Sequence, residues 1–237
     1  MRHKVYLEVP RVLVGFDTET TGLSTTSDRA ISYGFYELRD GVRHSVHHFY
    51  VDPEISVSSG AQKVHNISLD EIREKQPDAV LPFARGVERA LELIEYFDNE
   101  GAVFVGANVE GFDFKMLQSS ARVLAPTSAL AKRFSYVKLQ IRDVLWHQMA
   151  MDDSDLDAYK PARGLAKLCD LHGVQRGNHN ALEDARAAVE VFLAQVAHNA
   201  ATPAARSSRW GVAPLNGEKV VLQRLFGDEA LTKPVVG

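Results

Sequence analysis

Three short segments carry side chains whose types and spacing suit chemistry on a phosphate or another anion. In VLVGFDTETTGL, residues 12–23, an apolar run ends in Asp17 and Glu19, two positions apart. Side chains alternate along a strand, so these carboxylates share a face, and Gly15 on that face leaves room beside them. Two carboxylates aimed together at the end of a core strand repel each other and lose hydration. A divalent cation compensates, because Mg²⁺ or Mn²⁺ takes carboxylate oxygens and leaves positions for water and phosphate. A solvated Asp and Glu at a strand end, followed by a Thr-Gly turn, is the alternative for a bare Asp-x-Glu.

A second carboxylate lies in VFVGANVEGFDFKML. A buried strand ends there, a turn with Asn108 and Gly111 follows, and Asp113 falls in the first turn of a helix. An acid at that place complements the helix dipole, so Asp113 is read either as a cap or as a further metal ligand. The third segment is GNHNALEDARAAVEVFL. Asn180 and Glu183 have capping-box spacing, which starts the helix at Asn180 and leaves His179 just outside in the loop. Ala181, Ala185, Ala188 and Phe192 mark a buried stripe with Asp184 at its edge. A metal shared with Asp17 and Glu19 would partner Asp184. An imidazole titrates near neutrality, which suits His179 to general-base work on a water.

The elements that must position these residues are legible from their patterning. RVLVGFDTE reads as a strand, and RAISYGFYELRDGVRHSVHHFYV as two more joined at Asp40-Gly41, a dipeptide suited to a tight hairpin. After a loop containing VHNISLDEI, Val87, Ala90, Leu91 and Ile94 recur at helical spacing from about residue 81 to residue 97. A buried strand AVFVGA, a helix from about Phe112, a strand around VKLQIRDVL, a short helix LAKLCDLHG closed by Gly173, and the helix from Asn180 complete the order. A three-strand antiparallel meander followed by α-β-α units predicts an α/β fold, a mixed sheet flanked by helices of the ribonuclease H type.

At 237 residues and 45% hydrophobic content, the chain can bury one substantial core. Cys169 is the single cysteine, which excludes an intramolecular disulfide. No apolar stretch approaches the roughly 18 residues of a spanning helix, and no signal peptide is visible, so the expectation is a cytoplasmic protein with no membrane partner. The net charge of −4 argues against holding nucleic acid by bulk electrostatics. Residues 115–176 nevertheless hold ten Lys/Arg and six Asp/Glu, net +4, which suits either a local cationic face or an ordinary mixed surface. Beyond about residue 200, AATPAARSSRWGVAPLNG is small, polar and broken by Pro and Gly. The expected division is a catalytic domain over 1–198, then a linker and tail over 199–237.

Taken in order, Asp-x-Glu on the first strand, an Asp after an Asn-bearing turn and His-x4-Asp on the last helix resemble the His-containing branch of the DEDD, or DnaQ-like, 3′-to-5′ exonucleases. That family includes the proofreading epsilon subunit of bacterial DNA polymerase III, ribonuclease T and oligoribonuclease. The resemblance covers residues 12–192. It implies that Asp17, Glu19 and Asp184 ligate two divalent metals, Mg²⁺ or Mn²⁺, that Asp113 helps hold the second, and that His179 is the general base. It also implies that Thr18 and Thr20 lie against the substrate, that Thr20 meets the terminal 3′-OH, and that Leu23 presses on the terminal base. KVHNISLDEI matches the family's loop after the third strand, which places His65 near substrate, and Asn108 and Phe112 flank the same site. Two departures stand out: Ser32 and Ala107 occupy positions where members often carry an acid and a His.

The function expected is hydrolysis of phosphodiesters at single-stranded or frayed DNA or RNA 3′ ends, releasing nucleoside monophosphates. With metals supplying positive charge, an acidic protein can act on nucleic acid, and apolar residues near the site can stack on bases. Two rivals are a polymerase-associated proofreading subunit and a relative that binds without cutting. In the tail, EKVVLQRLFGDEAL, residues 218–231, is an apolar patch that suits docking on a partner, and LQRLF loosely resembles peptides that bind the sliding clamp. Choice of DNA over RNA and oligomeric state rest on surface geometry that a sequence does not display.

Overall fold

The computed structural model describes residues 8–152 and 164–201. Its centre is β1, Val12–Thr20, whose alternation sets the architecture. Val12, Val14 and Phe16 point into one apolar cluster, Leu13 into a second on the opposite face. β2, Ala30–Arg39, and β3, Val42–Val51, extend from it as an antiparallel meander. The turn between them is the expected one, with Asp40 at φ 49° and Gly41 at φ 75°, the left-handed pair of a type I′ hairpin.

Beyond β3 the chain departs from the sequence reading. The stretch expected as loop folds into two short helices, α1 over Ser59–His65 and α2 over Leu69–Lys75. Ser58 and Ser68 cap them, accepting from the amides of Ala61 and Glu71 at 3.2 and 3.3 Å. Each helix is only seven residues long, too short for apolar periodicity to register; the two caps were the available signal. A two-residue strand, β4 at Val80–Leu81, pairs with the end of β3. Then α3, Phe83–Asn99, buries Val87, Ala90, Leu91, Ile94 and Phe97.

The second half is parallel. β5, Val103–Gly106, pairs with β1, and β6, Gln140–Asp143, pairs with β5, giving the sheet order β4-β3-β2-β1-β5-β6. Between them lie α4, Asp113–Leu124, and α5, Ala129–Arg133. After β6 the expected strand turns at once into a helix, α6, Val144–Met151, because the carboxylate of Asp143 accepts the Leu145 amide and caps it. α7, Leu165–His172, ends at Gly173 in the left-handed region. The last described helix, α8, runs from Ala181 to Ala201, through residue 198.

Helices α3, α4 and α5 cover one face of the sheet, where Phe16 stacks on Phe35 and tilts against Phe114, both at 4.9 Å between centroids. α8 covers the other, with α6 and α7 beside it. This six-stranded mixed sheet between helix layers is the ribonuclease H-like α/β fold. Among the described residues no helix is long and apolar enough to cross a membrane.

Candidate active site

Two glycines let α8 lie almost on the sheet backbone. A Cβ on Gly15 would stand 2.3 Å from the Ala185 carbonyl oxygen, and one on Gly34 equally close to the Ala181 carbonyl. Gly34 is the register partner of Asp17. The space that Gly15 leaves is therefore filled by helix rather than left open beside the carboxylates. The consequence is positional: the first turn of α8 is pressed against the end of β1, and Asp184 arrives beside Asp17 and Glu19. Ligand oxygens of these three lie within 4.8 Å of one another.

Asp113 joins them from the opposite side by a different route. β5 pairs with β1 only as far as Gly15, so the next inward amide on that edge, Thr18, lacks a strand partner there. Asp113 supplies it: Oδ1 accepts the Thr18 amide at 2.9 Å and the Thr18 hydroxyl at 2.6 Å. Asp113 is the first residue of α4 and the acid of its first turn, whereas the N-cap is Phe112, which makes no side-chain cap bond. Thr18, expected against substrate, is buried with both donors given to Asp113; it positions that acid.

Electrostatics mark the cluster as overloaded with negative charge. Burial first, then the charges of Asp113, Asp184 and Glu19, raise the Asp17 carboxyl well above the usual range. Glu19 is pushed up to about 8 by burial and by Asp184 and Asp113. Burial takes Asp113 to about 7 against the opposing pull of the Thr18 bonds. Asp184 is raised by burial, and the His179 side chain and amide oppose that rise. Oxygen ligands that are crowded, desolvated and mutually repelling fit a hard divalent cation, which supplies the missing positive charge.

The approach to the cluster is built by the loops. Asn178 and His179 both adopt left-handed backbone, φ 55° and 57°, and Asn180 then caps α8 by accepting the Glu183 amide at 3.2 Å. Only half of the capping box forms, because Glu183 turns to Arg186. His179 is left exposed beside Asp184. A groove of about 340 Å³, lined by Tyr50, His65, Lys75 and His179 among others, opens next to it. His65 is mostly buried and its Nδ1 accepts the Ile67 amide at 2.9 Å, so its remaining ring nitrogen carries the proton. Thr20 is buried with its hydroxyl on the Gly22 carbonyl. Leu23 stands 87% exposed on the next turn. Asn108 is exposed with φ 61°, and Phe112 is half-buried against the α4 side of the core.

Some contributors carried no chemical signal in the sequence. Gly34 and Gly177 act by absence of a side chain; a Cβ on Gly177 would fall 2.2 Å from Asp184 Oδ1. Ser32, opposite Glu19 in the sheet, is buried and bonds His48 Nε2 at 2.9 Å, so a neutral pair occupies the position where relatives often place an acid. Ala107 is half-buried against the α8 side of the core.

The fold, with an acidic cluster at the end of its first strand, places the chain in the ribonuclease H-like class. A family model described as exonuclease, RNase T type, matches residues 14–192, and the chain belongs to that family of DnaQ-like 3′-to-5′ exonucleases. A DNA polymerase III of PolC type from Caldanaerobacter subterraneus subsp. tengcongensis is 32% identical over 181 residues, 76% of this chain and 11% of the relative. Among solved structures, E. coli exonuclease I in complex with a dA16 oligonucleotide superposes with TM-score 0.62 at 18% identity, over 80% of this chain and 41% of that one. A zinc-bound exonuclease I–ssDNA complex gives TM-score 0.62 at 17% identity, over 85% and 42%. The chain thus spans a small part of its polymerase relative and about two-fifths of the exonuclease I chains.

Proposed function

We propose that the protein is a metal-dependent 3′-to-5′ exonuclease that hydrolyses the terminal phosphodiester of single-stranded or frayed 3′ ends and releases nucleoside 5′-monophosphates. The observation that carries this reading is the meeting of Asp17, Glu19 and Asp184 within 4.8 Å, with Asp113 beside Asp17 and His179 at the rim. These four carboxylates would hold two Mg²⁺ or Mn²⁺ ions. Cations bound there would supply positive charge against that building on the phosphate and would lower the pKa of the attacking water. The rest falls to the chain. His179 takes the proton of the water whose oxygen bonds to phosphorus, while the bond from phosphorus to the 3′-oxygen of the penultimate nucleotide breaks and that oxygen takes up a proton. Thr18 keeps Asp113 in place. Leu23, exposed on a turn held by Asp28, offers an apolar face to the terminal base.

Single-stranded DNA is the first substrate to try, since exonuclease I neighbours were solved with such oligonucleotides. The deciding experiment follows end-labelled DNA and RNA oligomers, blocked at the 3′ or the 5′ end, with Mg²⁺ and with EDTA. Mononucleotide release from free 3′ ends, absent with a 3′ block or EDTA, is expected. Release from 3′-blocked oligomers, or none from any oligomer, would discard the proposal and leave the binding-only reading. A second reading, a proofreading partner of a polymerase, is favoured by the PolC-type relative. The segment expected to dock on a polymerase or clamp, residues 218–231, lies outside the described residues.

A further inference from the structure

From Phe114 to Arg142 the chain carries Lys115, Arg122, Lys132, Arg133, Lys138 and Arg142, and none of its 31 Asp/Glu. The positive balance of residues 115–176 is thus concentrated on α4, α5 and the approach to the end of β6. All of these cations except Arg142 are exposed. α4 turns Phe114, Leu117 and Ala121 inward, and Lys115 and Arg122, two helical turns apart, share its outer face about 10 Å from each other. Neither has an ion-pair partner among the described residues, whereas Arg133 is held by Glu95 at 2.6 Å. Gln118 ties α4 to the end of α5 by donating to the Phe134 carbonyl at 3.2 Å, which makes Lys132 the next cation along this layer. Neighbouring α3, by contrast, exposes Glu92, Glu95 and Asp98.

The chemistry at phosphorus gives this face a direction. Displacement is in line, so the leaving oxygen departs opposite the attacking one. The attacking water lies on the His179 side. There the first turn of α8 presses on Gly34 of β2, and the groove beside His179 is lined by Tyr50 of β3, which puts His179 on the β2–β3 flank of β1. Asp113 follows β5, which pairs with the other edge of β1. The leaving 3′-oxygen, and the strand attached to it, point toward α4, where unpaired cations suit phosphates. We infer that the single strand on the 5′ side of the scissile bond runs from the site over the outer face of α4, with its phosphates on Lys115 and Arg122. The inference rests on the proposed function, whose active site sets which way the leaving group points. It also accounts for a chain of net charge −4 holding a polyanion, since the charge required is local.

The test compares two double variants of the full chain, Lys115→Gln with Arg122→Gln on α4, and Lys63→Gln with Lys75→Gln on the side of the His179 groove. All four side chains are exposed, and glutamine keeps helix propensity. Fluorescence anisotropy in Ca²⁺ reads binding of a labelled single strand of about twelve nucleotides across a salt series. Rates in Mg²⁺ are taken on that strand and on a dinucleotide without a 5′-phosphate, whose only phosphate is the scissile one. The α4 variant should bind the long strand about tenfold more weakly, and its slope of log K against log salt should flatten by about 1.4, two contacts at about 0.7 each. KM for the long strand should rise, while kcat, the dinucleotide rate and the melting temperature stay with the parent's. The Lys63/Lys75 variant should match the parent throughout. Parent-like binding and slope in the α4 variant would overturn the inference, and so would an equal loss on the dinucleotide. A loss confined to the Lys63/Lys75 variant would route the strand through the groove instead. If the parent binds the strand but degrades no oligomer, the exonuclease reading fails while the salt slopes still decide whether α4 holds the strand; a parent that binds no single strand ends both.

Discussion

Glu19 is buried to 8% exposure on β1 and bears the charges of Asp184 and Asp113. Replacing a group so placed removes repulsion and a ligand together. Glu19→Gln and Asp17→Asn should therefore each lower Mg²⁺-dependent cleavage by roughly 10³-fold, given the several kcal/mol that a cation contributes to phosphoryl-transfer transition states. In EDTA the same variants should melt higher than the parent by a few degrees, about 2–4 °C per kcal/mol of relieved repulsion. A variant that cleaves normally would remove that residue from the metal set. Thr18 makes a gentler test. Thr18→Val deletes the 2.6 Å bond to Asp113 but keeps the amide one, and a hydrogen bond to a charged group is worth about 1.5–3 kcal/mol. A rate loss of about tenfold or more is expected, and an unchanged rate would show that Asp113 needs no such anchor. At His179 the substitution of choice is Asn, which tolerates the left-handed backbone seen there. His179→Asn should keep oligomer binding, read by fluorescence anisotropy in Ca²⁺, and lose most of its turnover.

The placement of these residues depends on elements more than on their own chemistry. Gly34 bears no functional group, yet its missing Cβ lets the Ala181 backbone approach Asp17. Gly34→Ala forces α8 outward, and overpacking of this kind costs about 1–3 kcal/mol. Lower melting and lost cleavage are expected together. Gly177→Ala should do the same, because the new methyl meets both Asp184 Oδ1 and the Asp184 backbone nitrogen, at 2.2 and 2.4 Å. Equal, small effects on both would mean that α8 has slack. The same distinction explains what the sequence made visible. Long-range order was legible wherever a period repeated: the meander by its alternation and Asp40-Gly41, and α3 and α8 by their apolar stripes. Asp17, Glu19 and Asp184 were legible as chemistry because their types are costly in a core. Two seven-residue helices were not, since a period needs length. Nor was the role of Thr18, which exists only because β5 stops pairing at Gly15 and leaves an amide for Asp113. Asp143 reads as strand in the sequence, and its grip on α6 appears only when its carboxylate meets the Leu145 amide.

At the scale of the whole molecule, every residue of the proposed site lies between Asp17 and Asp184, so deleting residues 202–237 should leave cleavage of short oligomers largely intact; a folded but inactive truncation would place part of the site in the tail. The cluster also sets how the metal-free protein answers to pH. An unfolded carboxyl titrates near 4, whereas Glu19 is held at about 8 and Asp113 at about 7. Between those values the folded state carries more protons than the unfolded one, so its stability falls as pH rises. Buried His147 acts with the opposite sign: pushed down to about 3, it makes the fold gain stability as pH rises toward the range in which an unfolded imidazole loses its proton. That gain is complete soon after pH 6.5, which leaves the window from about 7 to 8.5 to the carboxylates. With EDTA, melting temperature should decline across this window by several degrees, at about 2–4 °C per kcal/mol. Saturating Mg²⁺ binds the ionised form and should flatten the decline, so the gap between the two curves widens with pH. Glu19→Gln should shrink that gap. A metal-free melting temperature that holds level or rises from pH 7 to 8.5 would mean that the four carboxylates are not crowded and desolvated in solution, and the case for a shared cation would fall with it.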